Sequence, residues 1–161
     1  MTKRLILMRH SQAAHGGADF DRPLTEHGRR LASLQGSRMA LDAGPIDLAI
    51  VSSARRCQQT FTALTSGGLK VAEKWDEREL YFAGDYDALE MIRRLDDSIK
   101  TLLVLFHQPG VGSLTYHLTP FEQREELRGG FSPATFALGE VSTTWESLDE
   151  LASVKLYPPM I

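Results

Sequence analysis

The sequence predicts an α/β fold: three layers, α/β/α, built on a mostly parallel open sheet. Three short apolar runs carry the prediction, Leu5 to Met8, Leu48 to Val51 and Leu102 to Phe106, none of which alternates apolar with polar residues. Strands covered on both faces read this way. Between the runs lie segments with helical spacing, the crossover connections that a parallel sheet requires. At 161 residues the chain has the length at which one domain buries roughly 70% of the surface its unfolded form exposes. No internal repeat, linker or low-complexity stretch divides it, so residues 1–161 read as a single domain.

The elements follow in order. Met1-Thr2-Lys3-Arg4 leads into the first strand, which Arg9 and His10 end at once; that apolar run is too short for a secretion signal. Thr25 is placed to cap a first helix whose apolar stripe carries Leu31, Leu34 and Leu41 and which ends near Gly44-Pro45. After the second strand, Ala54 to Leu64 forms a second helix, stopped by Ser66-Gly67-Gly68. Asp85 is expected to cap a third, with Ala88, Ile92, Leu95 and Ile99 along one stripe. Pro109 suits the first turn of a fourth helix running to about Leu118. From Gly129 onward the chain is strand-like, at Phe136 to Leu138, at Trp145, and in the alternation of Ala152, Val154 and Leu156, which adds a further strand or an edge pair.

Composition narrows the partners. Hydrophobic residues make up 42% and charged residues 24%, ordinary globular usage. A formal net charge of −3 gives no reason to expect nucleic acid or an anionic membrane surface as partner. Cys57 is the only cysteine, which excludes an internal disulfide and a thiol-rich zinc site. No apolar stretch approaches membrane-spanning length, so the expectation is a cytoplasmic monomer.

Ligands of open α/β sheets bind beyond the carboxyl ends of the strands, where helix N-termini present free N–H groups. The first apolar run is followed by Arg9 and His10, the second by Ser52, Ser53 and, a turn into the next helix, Arg56, and the third by His107. Three strand ends thus deliver two arginines and two histidines to one edge, which suits a phosphoryl group. Arginine grips phosphate oxygens through two N–H groups and stays charged. A histidine nucleophile must be neutral, and the neighbouring guanidinium groups are expected to hold the pKa of His10 below its usual value near 6.5. His107 then serves to donate a hydrogen bond to the phosphoryl oxygens as charge spreads over them. His15 and His27 read as solvent-facing positions and His117 as a helix C-terminus. Cys57 reads as a small buried apolar residue, Trp75 and Trp145 as packing, and Glu122 to Arg128 as a solvated face.

These residues resemble the motifs of a known family. Met8-Arg9-His10 resembles the Arg-His-Gly signature of the histidine phosphatase superfamily, Ser52 to Thr60 its Ser-Pro-x-x-Arg-Ala-x-Gln-Thr motif, and His107-Gln108-Pro109-Gly110 its late His-Asn-Pro-Gly. Arg22-Pro23-Leu24-Thr25-Glu26-His27-Gly28 resembles a stretch typical of the SixA-type phosphohistidine phosphatases, and Leu80-Tyr81 is similar too. The likeness spans about residues 5 to 140.

It implies a phosphoglycerate mutase-like fold, His10 as the nucleophile that carries the phosphoryl group, and Arg9, Arg56 and His107 as phosphate ligands. Arg22 lines the substrate side, and neither metal nor organic cofactor is implied. Ser11, Ser53, Phe106 and Gln108 depart from the pattern, and Phe106 is the departure expected to narrow the pocket or shift the strand end. Ester-cleaving relatives use a carboxylic acid to protonate the leaving oxygen; Glu77 and Glu79 lie in that region, with Glu79 the candidate. An imidazole leaving group needs less help. The expected activity is therefore removal of phosphate from a protein phosphohistidine, as on a histidine phosphotransfer domain. The alternatives are a phosphatase of a small phosphorylated metabolite and a non-catalytic phosphate-binding module.

Overall fold

The computed structural model describes residues 2–160. Six strands form one sheet: β1 (Lys3–Arg9), β2 (Ile46–Ser52), β3 (Val71–Glu77), β4 (Thr101–Phe106), β5 (Phe136–Val141) and β6 (Ser153–Tyr157). Their order is β3-β2-β4-β1-β5-β6. The first four run parallel; β5 pairs antiparallel with β1 and β6 antiparallel with β5, so only β5 runs against the others. Four helices connect them: α1 (Glu26–Ala43), α2 (Arg55–Ser66), α3 (Asp85–Arg93) and α4 (Gly110–Leu118).

The missing alternation of the apolar runs has a plain cause. Successive side chains of a strand point to opposite faces, and both faces are covered here. Leu5, Leu7, Leu48, Ile50, Leu102 and Val104 pack against the layer that holds α3, α4 and Trp145. Ile6, Met8, Ala49, Val51, Leu103 and Leu105 pack against the layer of α1 and α2.

Several expectations are corrected in detail. Thr25 does cap α1, its Oγ1 accepting from Gly28 N at 2.9 Å, but Leu34 and Leu41 are 54% and 85% exposed. The buried face of α1 is instead Gly28, Leu31, Ala32, Gln35, Gly36, Met39 and Ala43; its small and amide residues hide it from a reading by hydrophobicity. Gly28 has a steric reason: a Cβ there would sit 2.2 Å from Gln12 O. Gly84, not Asp85, caps α3, and the helix stops at Arg93, so Leu95 and Ile99 lie beyond it. Asp85 instead takes the first helical position, and its carboxylate accepts from Tyr86 N at 2.8 Å and from Ser113 Oγ of α4 at 3.1 Å.

Strand β3 was not legible as a strand. It pairs only with β2, and its central residues Ala72 to Asp76 are all exposed, so no apolar signal marks it. The tail does supply an edge pair, β5 and β6, while Trp145 sits between them as a buried residue outside any strand, its Nε1 donating to Ile99 O at 2.9 Å.

Candidate active site

The parallel register brings the three strand ends together. Arg9 lies opposite Phe106, and Val51 opposite Leu105, so His10, Ser52 and His107 emerge side by side. His10 N donates to Phe106 O at 3.1 Å, and the two imidazole rings stand 5.4 Å apart. A cavity of about 450 Å³ opens above them, lined by Arg9, His10, Arg22, Arg56, His107 and Gln108 among others. All five residues that the sequence singled out for phosphate chemistry therefore meet in one pocket.

His10 is oriented by its neighbour. Its Nδ1 lies 2.7 Å from Ser11 O. A carbonyl only accepts, so Nδ1 carries the proton and Nε2 keeps its lone pair. Ser11 is itself fixed, its N donating to Thr60 Oγ1 at 2.9 Å and its Oγ to Gly28 O at 2.7 Å. The ring is buried, and burial more than the neighbouring Arg56 and Arg9 pulls its pKa down to about 4. The direction is the one the arginines lead one to expect, with burial as the larger cause.

His107 is also held neutral, its pKa lowered to about 3 by burial first and then by His10 and Arg56. Its Nε2 lies 2.7 Å from Ser52 Oγ. Cys57 packs behind it, Sγ 3.7 Å from Nε2, and burial pushes that thiol up to about 12, so it remains a thiol. The opposite ring nitrogen, Nδ1 of His107, is buried without a partner, as are Nε of Arg9 and Nε of Arg56. Buried polar atoms seldom stay unpaired, and three of them belong to residues of one pocket.

Around this floor runs a rim that the sequence marked only in part, at Arg22 and Leu80-Tyr81. Asp19, in a short 3-10 turn, places Oδ2 3.2 Å from Arg56 Nη2 and Oδ1 3.0 Å from Arg22 Nε. Its carbonyl accepts from Arg56 Nη1 at 2.8 Å, and the Tyr81 hydroxyl donates to its carboxylate. Tyr81 stands edge-on to His107 at 5.4 Å and leads to Phe82, which is 88% exposed. The Arg22-to-Gly28 stretch and the Leu80-Tyr81 pair were the signals for this rim, and Asp19 carried none. Glu77 and Glu79 do not line the cavity; Glu77 caps its own turn by accepting from Glu79 N at 3.2 Å. His15, read as solvent-facing, is exposed and also lines the cavity wall. Among the described residues no cluster of His, Cys, Asp or Glu is grouped to hold a metal ion, and no helix is long and apolar enough to cross a membrane.

Residues 5–104 match the family described as the histidine phosphatase superfamily, branch 1. This chain belongs to that superfamily. The chain is 32% identical over 149 residues to the uncharacterized protein Rv1276c of Mycobacterium tuberculosis, covering 88% of this chain and 92% of that one. Among solved structures it is similar to one assigned as the phosphohistidine phosphatase SixA of Nakamurella multipartitia, with a TM-score of 0.80, 25% identity, and coverage of 100% and 96% of the two chains. The fold also matches a structure assigned as SixA of Agrobacterium tumefaciens, with a TM-score of 0.81 at 23% identity over 99% of each chain. The fold is thus the phosphoglycerate mutase-like one of SixA-type histidine phosphatases.

Against the superfamily pattern, the departures prove mild. Ser11 is not among the residues with positive φ, so the position makes no demand that only glycine meets. Phe106 does not narrow the pocket: its ring turns into the core with Val111 and Leu114. It presses on Gly110, where a Cβ would come 3.0 Å from the ring and 2.4 Å from Ala83 O. Gln108 lines the pocket, and its Oε1 accepts from Gly112 N at 2.6 Å in the first turn of α4.

Proposed function

We propose that this histidine phosphatase removes phosphate from protein phosphohistidine through a phosphorylated His10. The observation that carries the reading is the free Nε2 lone pair of a neutral His10, held by the Ser11 carbonyl in a pocket walled by Arg9, Arg56 and His107. Nε2 attacks phosphorus, the P–N bond of the substrate breaks, and the departing imidazole takes up a proton from solvent. Water then cleaves the new P–N bond on His10, releasing inorganic phosphate and restoring the ring.

Arg9 and Arg56 hold the phosphoryl oxygens through charge-assisted hydrogen bonds, and His107 donates to the charge that gathers on them. Arg22 meets the substrate at the mouth. No carboxylic acid lines the cavity, which suits an imidazole leaving group better than an alkoxide, since an alkoxide gains about 10²- to 10⁴-fold from a positioned acid. The likeness to structures assigned as SixA supports the same substrate class.

The test measures phosphate release from a phosphohistidine-bearing protein beside a panel of sugar and glycerate phosphate esters, with His10→Ala as control. Release from the protein alone, lost in the variant, is the expected result. Preference for an ester moves the protein to small metabolites, and binding of phosphate without release makes it a binding module.

A further inference from the structure

We infer that Asp19 sorts substrates by the charge on the body that carries the phosphate, admitting neutral or cationic bodies and turning away anionic ones. The inference deepens the reading of the pocket as a phosphatase site and rests on it for the phosphate contacts alone.

The charges at the mouth are countable. Arg9, Arg22 and Arg56 line the cavity, His10 and His107 are neutral, and no carboxylate joins them on its wall. Asp19 stands immediately outside, ion-paired to both Arg22 and Arg56. Three guanidinium cations and one carboxylate leave two positive charges, the opposite of a phosphoryl dianion. A bound phosphoryl group thus balances the charge of the cavity wall and Asp19; the further cations nearby, Arg55 at the carbonyl of Asp21 and Arg78 over the ring of Phe20, are not part of the cavity lining.

Asp19 is also in the right place to act on the remainder of the substrate. Its side chain is 55% exposed, so the charge faces solvent rather than being buried behind the arginines. Its position is fixed from three sides, by Arg22 Nε, by Arg56 Nη2 and by the Tyr81 hydroxyl. The hydroxyl and Arg56 keep its carboxyl ionised, the pKa lying down at about 2. Whatever body follows the phosphate out of the cavity past Arg22 and Arg56 passes this fixed negative charge. A histidine side chain is neutral as it enters and cationic as it leaves protonated, and both states are tolerated. A carboxylate a few ångströms beyond the phosphate is repelled. At partly screened dielectric, one unit charge at such a distance alters affinity by about three- to ten-fold, and salt diminishes the effect.

The experiment uses non-hydrolysable phosphonates, so that binding is read without turnover. Propylphosphonate and 2-carboxyethylphosphonate have similar length and differ in the charge of the distal group. Both are titrated by calorimetry into the wild-type chain and into Asp19→Asn, which keeps the shape and one hydrogen-bond acceptor but removes the charge. The wild type is expected to prefer propylphosphonate at low salt, with the preference falling about three- to ten-fold in Asp19→Asn and shrinking in both proteins at 0.5 M salt.

A preference unchanged by the substitution overturns the inference. Equal weakening of both ligands also overturns it, because it makes Asp19 only a support for Arg56. The result is independent of the phosphohistidine reading: if wild-type protein releases no phosphate from a phosphohistidine substrate yet the phosphonate preference shifts, the reading of substrate class fails and the charge filter stands.

Discussion

The floor and the rim of the pocket are built by different rules. The floor, His10, Ser52, Arg56 and His107, emerges from the ends of three adjacent parallel strands and the first turn of α2, and each of these side chains is nine-tenths or more buried. The rim, Asp19, Arg22, Tyr81 and Phe82, comes from two short 3-10 turns and the residues that end them, and is half or more exposed at Asp19 and Phe82. Floor residues are fixed by main-chain register and by buried hydrogen bonds; rim residues are fixed by one another. The difference teaches that grip and selectivity are separable in this architecture: the floor gathers the groups suited to a phosphoryl group, and on the inference above the rim bears on what body carries it.

The sharpest break in that comparison is His10→Asn. On the proposed mechanism His10 carries the phosphoryl group, so its loss is expected to lower turnover by at least about 10⁴-fold, with no acid-labile phosphate trapped on the protein and with its circular dichroism retained. Arg56→Ala removes a charged grip on the phosphoryl oxygens and is expected to reduce kcat/KM by about 10²- to 10³-fold. Arg56→Lys recovers only part of that, because an ammonium cannot reproduce the fork of the guanidinium. At the rim, Tyr81→Phe deletes one hydrogen bond to a carboxylate that keeps two arginine partners. We expect a change of about three-fold or less in kcat/KM for any one substrate, measured beside Arg56→Ala. A loss as large as that of Arg56→Ala would erase the distinction between floor and rim.

A smaller effect concerns stability. In the folded chain His10 and His107 remain neutral until the pH falls to about 4 and about 3, whereas an imidazole in the unfolded chain takes up its proton near pH 6.5. Between those values the unfolded state holds more protons, so stability declines as pH falls below about 6.5. Urea midpoints measured from pH 7 down to pH 4.5 should therefore drop, and His107→Asn should flatten the slope. The rim's Asp19, with its pKa at about 2, is ionised in both states down to about pH 5 and adds to the decline only below that, where an unfolded aspartate begins to take up its proton near pH 3.9.

Much of the floor was legible because burial on both faces leaves an unbroken apolar run, and the residue that ends such a run marks a strand's carboxyl end. Arg9, His10, Arg56 and His107 were found in this way. Ser52 was noted at the same strand end without a role; that its hydroxyl meets His107 Nε2 depends on β2 lying beside β4. The rim lacked any periodic signal. A carboxylate in a loop looks like any solvated residue until the fold sets it against two arginines 3 and 37 positions away along the chain. β3 escaped notice for a similar reason, since an exposed edge strand with a charged surface carries no apolar pattern.

The sequence by itself determined the α/β class, the order of the central strands and helices, and the residues that meet at their ends, because hydrophobic periodicity and strand-end position are properties of the local chain. The tertiary structure alone decided the mixed sheet with its antiparallel β5 and β6, the inward face of α1, the harmless direction of Phe106 and the pairing of Asp19 with Arg22, Arg56 and Tyr81. Each of those depends on contacts between segments distant in the chain, and the free energy of such contacts is set by packing and charge in space rather than by any spacing along the sequence.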